Sequence, residues 1–499
     1  MSAVSATPTA ALGAAPSTTS SMALVMASHE WRLLCADRML RVVAVLFSVL
    51  LVVALVNGVR WSQFQSSTIH ALQHADSVRF AQYRDTLAAM SPTAPVAGPF
   101  APDPRNPMTI GSRGGTLAAL PPQPLSVLAV GQSDLLPYYY TVNTGLRQGV
   151  LKGDEIENPA NLLSGRFDLA FVIVVLFPLV ILALSYNMLS GEREDGTLAL
   201  VLSQPVRLRT LLLAKVAVRA ATVLSIAGGL VIAGLVAAKV NLGDSGVLAA
   251  ALWWFVVVSA YAGFWFGIAL VVNATVRGSA ASAVASVSTW LVLVILAPVL
   301  VNLVAQSRYP TPSRVEFVTM VRSITNQANA VSNVLMSKYT VDHPELAARG
   351  GLDVNDFWAR SLTVQDTIEK TLAPFYDSFD RQLDQQQQVV NSARVVTPAL
   401  LVQTALEDLA GTGLPRWQAF RVQTLAFHRQ WQSYFVPRQL RREKLSAADV
   451  AAVPSFTFRE ESGAVVRTRV LMSLVWLVLP AVLLWGVGLA RLRRYSVAG

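Results

Sequence analysis

The chain has a single cysteine, Cys35, in 499 residues, so no part of it is held by an internal disulfide. Charge is also scarce: Asp, Glu, Lys and Arg make up 14% of the chain, against about 25% in ordinary soluble domains. With 53% hydrophobic residues, a chain so poor in charge belongs in a bilayer rather than in water. No Gly-x-x-x-x-Gly-Lys-Ser/Thr phosphate loop occurs, so ATP hydrolysis by this polypeptide alone is not expected. His-Glu-x-x-His and Gly-x-Ser-x-Gly are absent too, and with them the usual hydrolase signatures. His343 and His428 have no ligand-like spacing and no Cys companion, so no metal site is expected. Residues 1–21 carry no basic residue and no apolar core; this Ala/Ser/Thr/Pro tract reads as disordered, not as a secretory signal.

What the chain does have is six uncharged runs of membrane-crossing length. They contain 18 residues between Arg41 and Arg60, 23 between Asp168 and Glu192, 19 between Arg219 and Lys239, 32 between Asp244 and Arg277, 30 between Arg277 and Arg308, and 21 between Arg469 and Arg491. A helix needs roughly 20 apolar residues to cross the hydrocarbon. Transmembrane helices are therefore expected at 42–59, 168–190, 217–238, 248–272, 280–305 and 470–490. Asn57 and Gly58 shorten the apolar core of the first run, but Arg38 and Arg41 can snorkel at one end and Trp61 can sit in the interface at the other. No acid or base falls in the middle of a run, where ion-coupled carriers need one. Pro178, Pro298 and Pro480 lie within runs, either as kinks that serve conformational change or as purely structural ones.

Orientation follows from the Lys and Arg of the short loops. With both ends in the cytoplasm, the internal pieces carry +7 of the total +10, although they are much the shorter share of the chain outside the spans. The basic balance is thus a topology signal and not a nucleic-acid patch. Two long segments then lie outside, 60–166 and 306–468. In the first, Trp61, Phe64, Ile69, Leu72, Phe80, Tyr83 and Leu87 recur at helical spacing, so the first span is expected to continue outward as a helix. A Pro/Gly-rich passage from Pro92 to Pro124 follows, where helices cannot persist. Pro137-Tyr138-Tyr139-Tyr140 comes next, as a strand or a surface patch. The second segment is amphipathic and mostly helical from Val354 to Asp408, with Pro374 a point of kinking or division. Gly411, Gly413 and Pro415 mark a break before an aromatic-rich helix through Trp417, Phe420, Leu425, Phe427, Trp431 and Phe435. Without disulfides, mutual burial of the two segments is the easiest route to stability. The fold class is therefore membrane all-α, six transmembrane helices with two extracytoplasmic insertions, the first mixed and the second mostly helical.

Two intracellular features remain. Residues 22–41 place bases and apolar residues at helical spacing, including Glu30-Trp31-Arg32, as an interfacial helix on the cytoplasmic surface or as an extension of the first span. Residues 191–216 form a charged loop, Gly191-Glu192-Arg193-Glu194-Asp195-Gly196-Thr197-Leu198, followed by Gln204-Pro205 and by Arg207 and Arg209. Gly196 permits a tight turn, Thr197 can cap a following helix, and Pro205 limits its continuation. The tail, 491–499, is basic.

This loop resembles the cytoplasmic loop of permease subunits of ABC transporters of the type-2 exporter family, in a branch with large periplasmic insertions. The resemblance covers the membrane region. It implies a bacterial inner-membrane permease that is not itself an enzyme and binds no cofactor, ATP being held by a separate ATPase dimer. A second permease copy or a similar permease, membrane lipid and a periplasmic protein are the other partners in view, with no nucleic acid. Export of a peptide, amphiphile or secreted metabolite is the implied activity, and mechanical action on a periplasmic partner the alternative. Glu192, Arg193, Glu194, Gly196, Thr197, Gln204, Pro205, Arg207 and Arg209 would then meet the ATPase.

Overall fold

A computed structural model describes residues 18–91, 102–151, 167–203, 207–310, 314–342 and 357–493. The chain begins in helix α1 (Thr18–Ala36), which starts inside the tract read as disordered; residues 1–17 of that tract lie outside the described residues. Asp37 then ends α1 and caps α2 (Arg38–Ala89), its side chain accepting from the backbone N–H groups of Met39 at 2.8 Å and Leu40 at 3.3 Å. Helix α1 is thus a separate element and not an extension of the first span.

Among the described residues, six helices are long and apolar enough to cross a membrane: α2, α3 (Leu169–Glu194), α5 (Leu208–Ala237), α6 (Ser245–Thr275), α7 (Ser279–Arg308) and α14 (Gly463–Arg493). They mark a multi-pass membrane protein. Between α3 and α5 lies the short α4 (Thr197–Leu202). Helix α6 is the centre of the bundle: Trp254, Tyr261, Trp265 and Phe266 are fully buried, in one core with Phe47 and Leu51 of α2, Phe177 of α3 and Leu477 of α14. Pro178 and Pro298 each come after a π-helical turn, Val172–Leu176 and Leu291–Leu296, with one residue between. A proline lacks the N–H that would bond the carbonyl four residues back. Val174 O, so released by Pro178, accepts from the Tyr261 hydroxyl at 2.9 Å, and Val175 O from Trp290 Nε1 at 2.9 Å.

Helix α2 runs unbroken for 52 residues, about 78 Å at 1.5 Å per residue, more than twice the roughly 30 Å of hydrocarbon. Its far half enters the domain built by the two long inter-span segments. The first contributes antiparallel strands β1 (Thr116–Ala119) and β2 (Tyr139–Val142), paired Thr116 to Val142 and Ala119 to Tyr139. The tyrosine tract is therefore mostly strand. The second contributes α8 (Arg314–Ala330), α9 (Ser332–Asp342), α10 (Phe357–Ala393), α11 (Pro398–Ala410), α12 (Leu414–Leu440) and α13 (Ala447–Ala451). Pro374 does not divide α10, which continues through it. The break falls at Arg394–Thr397, where α11 turns off at 117°. Helix α11 has 13 residues, too few to cross a bilayer, and buries Ala399, Val402, Leu406 and Leu409 in the bundle core.

One hydrophobic core joins the two segments. Leu87, Ile110, Tyr140 and Val142 pack with Phe420, Phe427, Trp431 and Phe435 of α12, and Tyr140 stacks on Phe420 with ring centroids 5.6 Å apart. Trp431 donates its indole N–H to Gly111 O at 2.9 Å, and Trp417 donates to Pro137 O at 3.0 Å. Trp431→Ala should therefore cost about 3–5 kcal/mol and loosen both segments together. Proteolysis and thermal melting of the detergent-purified chain are the measurements; cleavage confined to the second segment would contradict a shared core.

Candidate functional site

The charged loop begins with a helix that fails. Span α3 breaks at the turn Tyr186–Leu189, where the Met188 N–H goes to Ser185 O at 3.4 Å and not to Leu184 O, and resumes for one turn at Ser190–Glu194. An unwound turn leaves carbonyls without partners, and inside a bilayer each such group costs several kcal/mol. Side chains from two neighbouring spans supply the donors. Arg219 of α5 donates Nη1–H to Leu184 O, and Lys215, one turn earlier, donates Nζ–H to Met188 O at 3.3 Å. Asn273 of α6 donates to Ser185 O at 2.8 Å and accepts from the Leu189 N–H at 3.1 Å.

The two cations are buried, each 7% exposed, and buried charges need counter-charges. Glu192 meets Lys215 at 2.5 Å, while Glu30 meets Arg219 at 2.8 Å and lies 4.0 Å from Lys215. Two acids thus balance two bases, and the network ties α1, the end of α3 and α5 into one unit. Glu30 is 5% exposed whereas Trp31 is 50% exposed and Arg32 is exposed. Of these three, Glu30 is the one that turns inward.

The rest of the loop divides into inward and outward groups. Glu194 accepts from the Ser279 N–H at 2.7 Å and from its hydroxyl at 2.6 Å, which fastens the loop to the start of α7. The Ser190 hydroxyl lies 3.1 Å from that of Ser279, which accepts from it because its own proton goes to Glu194. Gly196 has φ +70°, a backbone region that glycine occupies without strain; it turns the chain into α4. Thr197 donates to Glu192 O at 3.1 Å, bonding back across this turn. Arg193 is half-buried, and Asp195 and Arg207 are exposed. Gln204 and Pro205 lie outside the described residues. The loop is shorter than 191–216, because α5 begins at Leu208 and so includes Arg209, half-buried in its first turn. Glu192 and Glu194, expected as docking charges, are committed to Lys215 and Ser279 within the chain.

Sequence reasoning had used Lys215 and Arg219 only as loop charges and had not singled out Asn273. A signal existed: two cations at i and i+4 leading into the apolar third span, and a lone Asn at the end of another. Elsewhere, His428 is 4% exposed and its Nε2 lies 2.9 Å from Gly145 O; burial lowers its pKa, a packed neutral ring.

Lys215→Met removes the donor to Met188 O and leaves Glu192 unpaired, at an expected cost of about 3–5 kcal/mol. Arg207→Met, at an exposed residue with no ion pair among the described residues, should stay within about 0.5 kcal/mol. Thermal melting in detergent compares the two; equal stabilities would refute the network.

The comparisons with known proteins touch a different region. Residues 314–459 match a family described as a domain of unknown function (DUF3526), which takes in α8 to α13 and none of the six span helices. Comparison with curated proteins gives no match.

Proposed function

We propose that this chain is the permease subunit of an ATP-driven ABC transporter of the type-2 exporter kind. It sits in the bacterial inner membrane with both termini and the charged loop in the cytoplasm and the inter-span domain in the periplasm. A separate ATPase dimer supplies the energy and a second permease, identical or similar, completes the pathway. Export of a peptide, amphiphile or secreted metabolite is the activity.

The observation that carries this reading is the charge network of buried Glu30, Lys215 and Arg219 with half-buried Glu192. A force on the loop is delivered through it to α1, α3 and α5 at once, which is what a motor contact requires. The docking charges are then the exposed Asp195 and Arg207 with the half-buried Arg193, whereas Glu192 and Glu194 hold the loop's shape. Complementary charges at such a contact speed association and fix its register.

A second reading is a mechanical coupler that works on a periplasmic partner without passing cargo. The unbroken α2 favours it, because one rigid rod joins the bundle to the inter-span core.

Coexpression with candidate ATPases tests the first reading. Asp195→Lys with Arg207→Glu should reduce copurified ATPase several-fold while the melting temperature stays at the wild-type value. Unchanged copurification would remove the loop as the contact. Topology is tested separately, in a Cys35→Ser background: Gln132→Cys and Gln385→Cys should label with a membrane-impermeant thiol reagent in spheroplasts. Labelling of Gly196→Cys in the same assay would invert the arrangement.

A further inference from the structure

Three parts of the chain meet at the end of the bundle that carries the inter-span domain. Asp168 caps the first turn of α3, accepting from the Phe171 N–H at 2.7 Å. Its second oxygen accepts from the N–H groups of Val130 at 2.7 Å and Gly131 at 3.1 Å, so the first inter-span segment hangs on the head of a span. Against the other side of that turn lies Glu407 of α11. A Cβ placed on Gly131 would stand 3.0 Å from Glu407 Cγ and 3.1 Å from its carboxyl carbon, so the two segments approach closely here and any side chain on Gly131, whose φ is +55°, would press on Glu407.

Glu407 is 5% exposed, and among the described residues it has no ion pair. Its Oε1 accepts from Gln403 Nε2 at 3.0 Å. The charged groups around it are either acidic or engaged elsewhere. Asp168 faces it from the head of α3, and Asp408 is its neighbour on α11. Arg469 of α14 goes to Asp408 at 3.1 Å and to Glu461 at 2.8 Å. Arg416 at the head of α12 goes to Glu460 and, at 3.0 Å, to Gly411 O.

We propose that Glu407 is a proton-operated clamp between the inter-span domain and the membrane bundle. Protonated, it packs as a neutral side chain against Gly131 and holds α11 in the bundle core. Ionised, it sets an unpaired charge beside Asp168 in a closed space, and α11 lifts away. The carboxyl is suited to this: burial, with the Asp168 and Asp408 charges adding to it and the Gln403 hydrogen bond opposing it, pushes its pKa up to about 8. When α11 is lifted the group returns toward its ordinary value of 4.5. The closed form binds the proton more tightly, so the clamp is fully closed below the ordinary value. It weakens as pH rises and levels off once the closed form also ionises. The clamp does not depend on whether the chain transports or couples.

Hydrogen exchange of the α11 amides in the full chain in detergent, with exposure times scaled to the intrinsic rate at each pH, tests the clamp. Between about pH 5.5 and pH 8 the opening constant should rise by up to tenfold per pH unit, then flatten. Glu407→Gln, which mimics the protonated form, should remove the slope. Asp408→Asn, which breaks the contact to Arg469 and removes one neighbouring charge while leaving Glu407 ionisable, should raise exchange at every pH and keep a slope. Should the Gln variant not fold, Glu407→Met supplies an uncharged replacement. A flat wild-type profile, or the same slope in an uncharged variant, overturns the proposal.

Discussion

Backbone carbonyls inside a bilayer need donors, and the break in α3 at Tyr186–Leu189 is the place where that demand organises the molecule. Leu184, Ser185 and Met188 take theirs from Arg219, Asn273 and Lys215. The cations then require Glu30 and Glu192, and Glu30 brings α1 against α5. A local failure of one helix thereby sets the neighbours of three others. The functional reading of the loop rests on the same atoms, since rigidity here comes from a closed set of buried charges and not from the loop's own short helices.

Pro178 obeys the same rule by other means. At Pro178 the lost hydrogen bond is replaced by the hydroxyl of Tyr261, with Trp290 donating one carbonyl further on. Both donors are aromatic residues of packed spans, so each fills space with its ring and satisfies the backbone with its polar edge.

Much of the architecture was legible in the sequence because it rests on length and periodicity. Six uncharged runs correspond to the six long apolar helices. The stripe from Trp61 to Leu87 lies on one unbroken helix, and the aromatic series from Trp417 to Phe435 is one helix, α12. Shared burial of the two inter-span segments also followed from the lack of disulfides. The misreadings concern partners distant in sequence. Pro374 reads as a breaker locally, yet α10 tolerates it and bends at Arg394–Thr397 instead, where α11 turns to bury Leu406 and Leu409 in the bundle. Glu192 looks like a surface acid until Lys215, 23 residues on, is placed beside it. Charge type is written in the sequence; the direction a charge faces is a property of the packed structure.

The buried cations also constrain how the protein is made. A Lys or Arg at the centre of an inserting helix costs about 2.5–3.5 kcal/mol, less toward its end, and α5 carries two before any partner is considered. Every group that neutralises or occupies them, from Glu30 through Leu184 and Met188 to Glu192, precedes α5 in the chain. Synthesis from the amino terminus therefore presents the acceptors first, and the third span enters a membrane in which its charges already have a destination.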